Sequence, residues 1–561
     1  VSERRGSVAL ALVDVLREFG VDTVFGVPGG AISTVYAALL ERPDVRIVTA
    51  KHETAAGFMA LGYARATSRP GVVLATAGPG ITNAITGVAS AYYESAPVVL
   101  LAGEVPRSSF GRGALQEGSA AGFDAVALFR GFTKLSAQLA NPGNATSLFR
   151  KALTTAYSGR RGPVFLSLPL DVGAAATKEQ PIVGAVQTAF DVDDGAARTA
   201  MELLCRARKP LLVVGSGCRD ATARRAVRRL AQRVELPVAT TTKAKGIFPE
   251  TDPRYLGVLG FGGHESVIDY LRDGVDVLLA VGTGLNDLAT NAWTPLLRGS
   301  RAFLQVDIDS AQLGKNYPID LGLVGPADAV LARMLQYAPE FPLAPRDPAP
   351  PLAFQPVPTS ARGMLSNVDI VLAMNEVCPA DAVVTADVGE HLAPALHYYR
   401  TREGGDFITC AGFGSMGSGI HAAIGHQLGA PSRRTYALCG DGGMLMFGGD
   451  LVTAVQHRLR TTFVISNDSR YNMVHHGMVD LYGASPDFST PLVDFAELAR
   501  SMGATGRVVR TRDELRAGLV LQATGPVVLD VRTDPDVRLR GSQRDAALRQ
   551  FSDRPPPPEH T

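Results

Sequence analysis

No excess of either charge, no closely spaced cysteine pair and no long apolar run occurs in this sequence. Lysine and arginine number 55 against 54 acidic residues, a formal net charge of +1. That balance excludes a nucleic-acid groove or an anionic membrane surface as the expected main partner. The five cysteines, at 205, 218, 378, 410 and 439, form no CxxC pair and no metal-ligand spacing. An odd count in a long chain fits reduced thiols and a cytoplasmic protein better than a disulfide scaffold. No apolar run reaches the roughly 20 residues that cross a bilayer. The opening stretch, VSERRGSVALALVDVLREFG, reads as an amphipathic helix that buries Val8, Leu10, Leu12, Val13 and Leu16, and not as a signal peptide.

What is present is enough apolar material for several cores. At 561 residues and 46% hydrophobic content, the chain predicts about three domains. Residues 1–180 alternate short apolar strands (TVFGV, GVVLAT, APVVLLAG, GPVFLSLPLDV) with helical stretches, the rhythm of parallel strands and crossover helices. Residues 190–337 repeat the rhythm with KPLLVVGSG, PVATTT, VDVLLAVGTG and AFLQVDID. Prolines crowd 338–363, which reads as a linker. A third block, 364–540, carries AVVTAD, TYALCGDGG, TTFVISND and GPVVLDVRT, and 541–561 reads as a mobile tail. The expected fold class is α/β, three doubly wound parallel sheets, the first and third resembling each other more than the middle one.

The chemistry is concentrated in CGDGGMLMFGGDLVTAVQHRLRTTFVISNDSRYN, residues 439–472. A greasy strand runs into Asp441, flanked by glycines, and then into a helix with Leu451, Ala454, Val455 and Leu459 on one face. A second strand ends at Asn467 and Asp468. Adjacent parallel strands would bring Asp441 and Asp468 together at the carboxyl edge of the sheet, where α/β folds bind ligands. Two hard oxygen donors suit Mg²⁺, which takes one or two carboxylates and fills its shell with phosphates. Gly442 and Gly443 let the backbone approach an anion closely.

This stretch resembles the signature of thiamine-diphosphate enzymes, and the resemblance to acetolactate synthase and its acyloin-forming relatives covers nearly the whole chain. It implies that Asp441, Asp468 and the Arg470 carbonyl hold Mg²⁺ on the cofactor's diphosphate, with Asn467 as the alternative if the register is one off. TAKHETAAGFMALGYARAT resembles the segment that supplies the glutamate for the aminopyrimidine ring, here Glu53. The next segment, ATAGPGITNAITG, places Gly78 and Asn83 beside it. AGFGSMGSGIHAAIG implies Met416 as the wedge that bends the cofactor and Gly414 as a carbonyl donor to its amine. DVGEHL implies a phosphate contact from His391, with Glu390 standing where the family has glutamine. GRGALQE implies a catalytic Gln116, and Met473 would line the cofactor cleft. In the family, glutamate and diphosphate site come from different subunits, so a homodimer is the smallest competent unit and a homotetramer is possible.

Three departures bear on substrate. NMVHHGM lacks the tryptophan that follows the metal loop in acetolactate synthases, Leu115 replaces a common phenylalanine, and AVGTGLNDLATNAW is not the ARFDDR of flavin-holding members. FAD therefore stays open, VVGSGC being a weak dinucleotide signal. His475 and His476 are either loop histidines or groups that reach the acceptor, with His476 taken as catalytic. The implied activity is decarboxylation of a 2-oxo acid such as pyruvate with transfer of the acyl unit to a second carbonyl. The alternatives are a non-ligating decarboxylase, a 2-hydroxyacyl lyase, or a non-catalytic paralogue.

Overall fold

The computed structural model describes residues 6–177 and 190–539; the expected tail, 541–561, lies outside them. The described residues form three six-stranded sheets, each parallel throughout, and a small antiparallel pair, Gly6–Ser7 with Ala176–Thr177. The first contains Thr23–Gly26, Arg46–Thr49, Gly71–Ala75, Val98–Glu104, Leu135–Gln138 and Val164–Pro169. The third contains Val383–Ala386, Asp406–Thr409, Thr435–Gly440, Thr461–Asn467, Thr505–Val509 and Val527–Arg532. Numbered by sequence within each sheet, both run 2-1-3-4-6-5 across the sheet. The middle sheet, Pro210–Val214 to Leu321–Val324, runs 3-2-1-4-5-6, the order of dinucleotide-binding sheets. The kinship of the outer blocks is thus a matter of topology.

The central strands of each sheet are buried on both faces, which is why they read as continuous apolar runs. Five strands not evident as such runs, Leu135–Gln138, Tyr255–Leu259, Leu321–Val324, Asp406–Thr409 and Thr505–Val509, all lie at sheet edges. The N-terminal helix forms at Val8–Glu18, capped by the Ser7 hydroxyl, with Val8, Leu12, Val13 and Leu16 buried and Leu10 half-buried.

One core is shared by the first and third domains. Its seam is a pair of helices, Glu53–Thr67 and Ser418–Gly429, each following the second strand of its sheet. Glycine makes the close crossing possible: a Cβ on Gly62 would overlap the Ala422 carbonyl, and one on Gly425 would overlap that of Met59. In the middle domain the two glycine turns face each other, with Gly215 and Gly217 against Gly282. Backbone approach alone accounts for these glycines, without a dinucleotide.

Candidate active site

The strand order of the third sheet reverses between its first and third strands, and the loops leaving those two parallel strands flank a crevice. Asp441 begins a helix, Asp441–Phe447, directly from the end of Thr435–Gly440, with no turn between strand and helix. Its two oxygens accept from the amides of Gly442 and Ser469, both at 2.7 Å. The helix is shorter than the sequence pattern suggests. Gly448 and Gly449 open a 3-10 turn, and a second helix, Leu451–Gln456, follows. Leu451 and Ala454 are buried there, Val455 is half-buried, and buried Leu459 lies beyond the helix.

Asp468 leaves the adjacent strand, Thr461–Asn467. Its carboxylate accepts from the Arg470 amide (3.2 Å) and the Asn472 side chain (2.6 Å). The turn is tight: Ser469 sits at φ 57°. Burial and the neighbouring Asp441 push the Asp468 carboxyl up to about 7, and burial also raises Asp441. Two buried acids that oppose each other's ionisation favour a divalent cation between them. Asn467 points elsewhere, donating to Asp530 and the Val493 carbonyl, so Asp468 is the residue facing Asp441.

His391 lies buried beside Gly389 and Gly440, and burial depresses its imidazole to about 4. Its Nε2 is buried without a hydrogen-bond partner. An orphaned polar nitrogen next to an acid pair fits a magnesium diphosphate: the carboxylates would suit the metal and the histidine a phosphate oxygen. Among the described residues no cluster of three or more acids, histidines or cysteines could hold a metal without such a ligand. Gly442 needs its missing side chain, since a Cβ would stand 2.8 Å from the Tyr471 ring and 2.9 Å from the Met416 methyl. Met416 is therefore half-buried at the mouth of the crevice, not core filler, with Gly414 exposed at φ 78° nearby. Met473 packs against the core of the third domain.

Three contributors were not legible as site residues. Asp387 ends the first strand of this sheet and accepts from the Gly417 (2.7 Å) and Gly419 (3.0 Å) amides, which fixes the Met416 turn. Its oxygen also fills the space a Cβ on Gly443 would need. Asn472 holds Asp468. Glu390 stands 3.6 Å from His476. His475 and His476 belong to a helix, Asn472–Tyr482, and not to a loop, and His476 is buried. An acid that closes an apolar strand, as Asp387 does, is the same signal that Asp441 gives.

The first domain assembles the second group of residues. Glu53 opens the helix Glu53–Thr67 and is buried. The Asn83 side chain donates to its Oε2 at 3.0 Å, and Gly80 leaves room beside Oε1. Gln116 sits at φ 66°, and its side chain occupies the space above Gly78. Next to it Leu115 is 86% exposed. Glu53, Gly78, Asn83 and Gln116 thus cluster on one domain, and Asp441, Asp468, His391 and Met416 on another.

Residues 7–128 match the family described as thiamine pyrophosphate enzyme, N-terminal TPP binding domain; 197–334 match its central domain and 387–531 its C-terminal TPP binding domain. An acetolactate synthase large subunit of Parasynechococcus marenigrum (strain WH8102) is 34% identical over 550 residues, spanning 94% of this chain and 87% of the relative. Acetolactate synthase isozyme 2 large subunit of Escherichia coli (strain K12) is 33% identical over 537 residues, 93% and 95%. An acetolactate synthase of Arthrospira platensis is 32% identical over 560 residues, 95% of each. With acid pair, glutamate and whole-length similarity in agreement, the chain belongs to the thiamine pyrophosphate enzyme family, as an acetolactate synthase-like, thiamine-diphosphate-dependent enzyme.

Proposed function

We propose that the protein decarboxylates a 2-oxo acid, with pyruvate as donor, and joins the acyl unit to the carbonyl of a second molecule. The observation that carries the cofactor chemistry is the opposed pair Asp441 and Asp468 beside the orphaned His391 nitrogen. The end-to-end likeness to relatives named acetolactate synthase supports ligation over simple decarboxylation. Asp441, Asp468 and the Arg470 carbonyl would hold Mg²⁺, and His391 would donate to the diphosphate. Bound there, thiamine diphosphate supplies the electron sink that lets CO₂ leave a 2-oxo acid.

The chain's own residues do the rest. Glu53 presents its carboxylate from a buried helix start with largely small and apolar neighbours, and the Asn83 side chain, donating to Oε2, fixes which way that carboxylate faces. Met416 sets the width of the cleft above Gly442. His476, with the Glu390 carboxylate 3.6 Å from its Nδ1, would bond the acceptor's oxygen. Because ligation leaves the oxidation state of the two substrates unchanged overall, FAD has no required chemical role.

The two residue clusters belong together across a homodimer, Glu53 of one copy serving the acid pair of the other. Exposed Leu115, next to Gln116, suits a surface that a second copy covers. Five buried, unpaired cysteines fit a reducing compartment. Two measurements test the reading. Incubation with pyruvate, thiamine diphosphate and Mg²⁺ should yield acetolactate or another ligated product; free acetaldehyde alone would refute ligation. Mixing inactive Glu53→Gln and Asp441→Asn chains should restore activity, because a mixed dimer keeps one intact site. No recovery after verified subunit exchange rejects the shared site.

A further inference from the structure

A cavity of about 470 Å³ opens where all three domains meet. Its first-domain wall includes Ala64, Arg65 and Ala66 near the C-terminal end of the helix Glu53–Thr67, roughly 16–20 Å along the axis from Glu53. The middle domain contributes the start of the helix Ala221–Arg233, and the third contributes the turn before Asp406–Thr409.

The lining is unbalanced in charge. Eight arginines and three acids line the cavity, a formal excess of five, or four if Glu94 behind Arg65 is included. Asp406 answers two guanidiniums at once, Arg219 at 3.0 Å and Arg224 at 2.9 Å, and they pull its carboxyl down to about 2. Even so, burial together with Arg65 and Arg224 lowers Arg219 to about 10. Arg433 bonds only backbone carbonyls, those of Asp381 and Gly404. Arg225 is exposed and has no hydrogen-bond or ion-pair partner among the described residues. Guanidinium groups converging from three directions, with too few carboxylates, match the several oxygens of a phosphate group. No aromatic side chain lines the cavity, so nothing offers a base a stacking face.

We propose that this cavity is an effector site for a small phosphate ester bearing more than one phosphoryl group. Such a ligand would bridge the three domains at the far end of the helix that carries Glu53. The inference does not depend on the donor or acceptor of the reaction.

Fructose 1,6-bisphosphate serves as the probe, titrated calorimetrically into full-length protein saturated with thiamine diphosphate and Mg²⁺, at constant ionic strength. Saturable binding of one equivalent per chain is expected, weakened at least about tenfold by Arg225→Glu, which breaks no protein ion pair. Asp441→Asn should bind the probe as the unmodified protein does. Absence of saturable binding, unaltered binding by Arg225→Glu, or loss in Asp441→Asn would each overturn the proposal. So would tighter binding of inorganic phosphate than of the bisphosphate.

Discussion

The first and third domains share a strand order but carry different chemistry at matching positions. After the second strand, the first domain needs three residues, 50–52, before its helix begins at Glu53. The third inserts eight, 410–417, and uses them to present Gly414 and Met416. After the third strand, the first offers Gly78 and the third offers Asp441. After the fourth, one carries the long loop with Gln116 and the other carries Asp468. Topology therefore decides which loops can meet, and loop content decides what they do. The third domain sets two buried acids, Asp441 and Asp468, against each other, the arrangement proposed above to hold a cation. The first holds one glutamate among small and apolar neighbours, which suits proton handling.

The contrast can be broken one side at a time. Glu53→Gln should lower kcat on the order of 10²–10⁴-fold while thiamine diphosphate binding, followed by calorimetry, changes little; near-normal turnover would remove the first domain's assigned role. Asp441→Asn should weaken Mg²⁺-dependent cofactor binding at least about 100-fold, since even residues that merely orient metal ligands are worth 10–100-fold. The seam between the domains is tested by Gly425→Val. Overlap with the Met59 carbonyl should destabilise the protein by about 1–3 kcal/mol, read as a lower thermal midpoint.

A pH series sharpens the same distinction. Asp468 in the metal-free protein holds its proton to about 7, above its ordinary 3.8. The folded state then binds more protons than the unfolded chain between those values, so stability of the metal-free protein should fall as pH rises from about 4 to 7. Mg²⁺ must displace that proton, so its affinity should drop by about tenfold per unit below pH 7 and level off above it. Affinity independent of pH from 5 to 8 would contradict the paired-acid reading. The smallest effect is expected from Glu390→Gln: a few-fold change in the ratio of ligated product to aldehyde, with cofactor affinity preserved.

Central strands were legible because both their faces are covered and every position selects apolar residues. Edge strands such as Leu135–Gln138 and Leu321–Val324 are only partly covered, and their sequences carry no comparable signal. The acid pair was legible because each member closes an apolar strand. Asp387 closes one too, but its role depends on a turn about 30 residues away. The approach of Glu390 to His476 brings a turn against a helix far along the chain, and no local pattern announces it. His475 and His476 read as loop residues because a short helix with a glycine at its centre, Gly477, has no clear apolar stripe.

Sequence alone determined that the chain is built of α/β units with parallel sheets and that Asp441 and Asp468 close neighbouring apolar strands. These follow from strand-to-loop punctuation and from the residues at strand ends, which are local properties, whereas the roles of Asp441, Asp468 and Glu53 came from the resemblance to thiamine-diphosphate enzymes. Only the tertiary structure decided that the outer sheets share one topology, that Gly62 and Gly425 weld them helix to helix, and that arginines from three domains converge on one cavity. Those facts depend on which distant backbones approach one another, and an approach through absent side chains leaves little trace in a linear pattern.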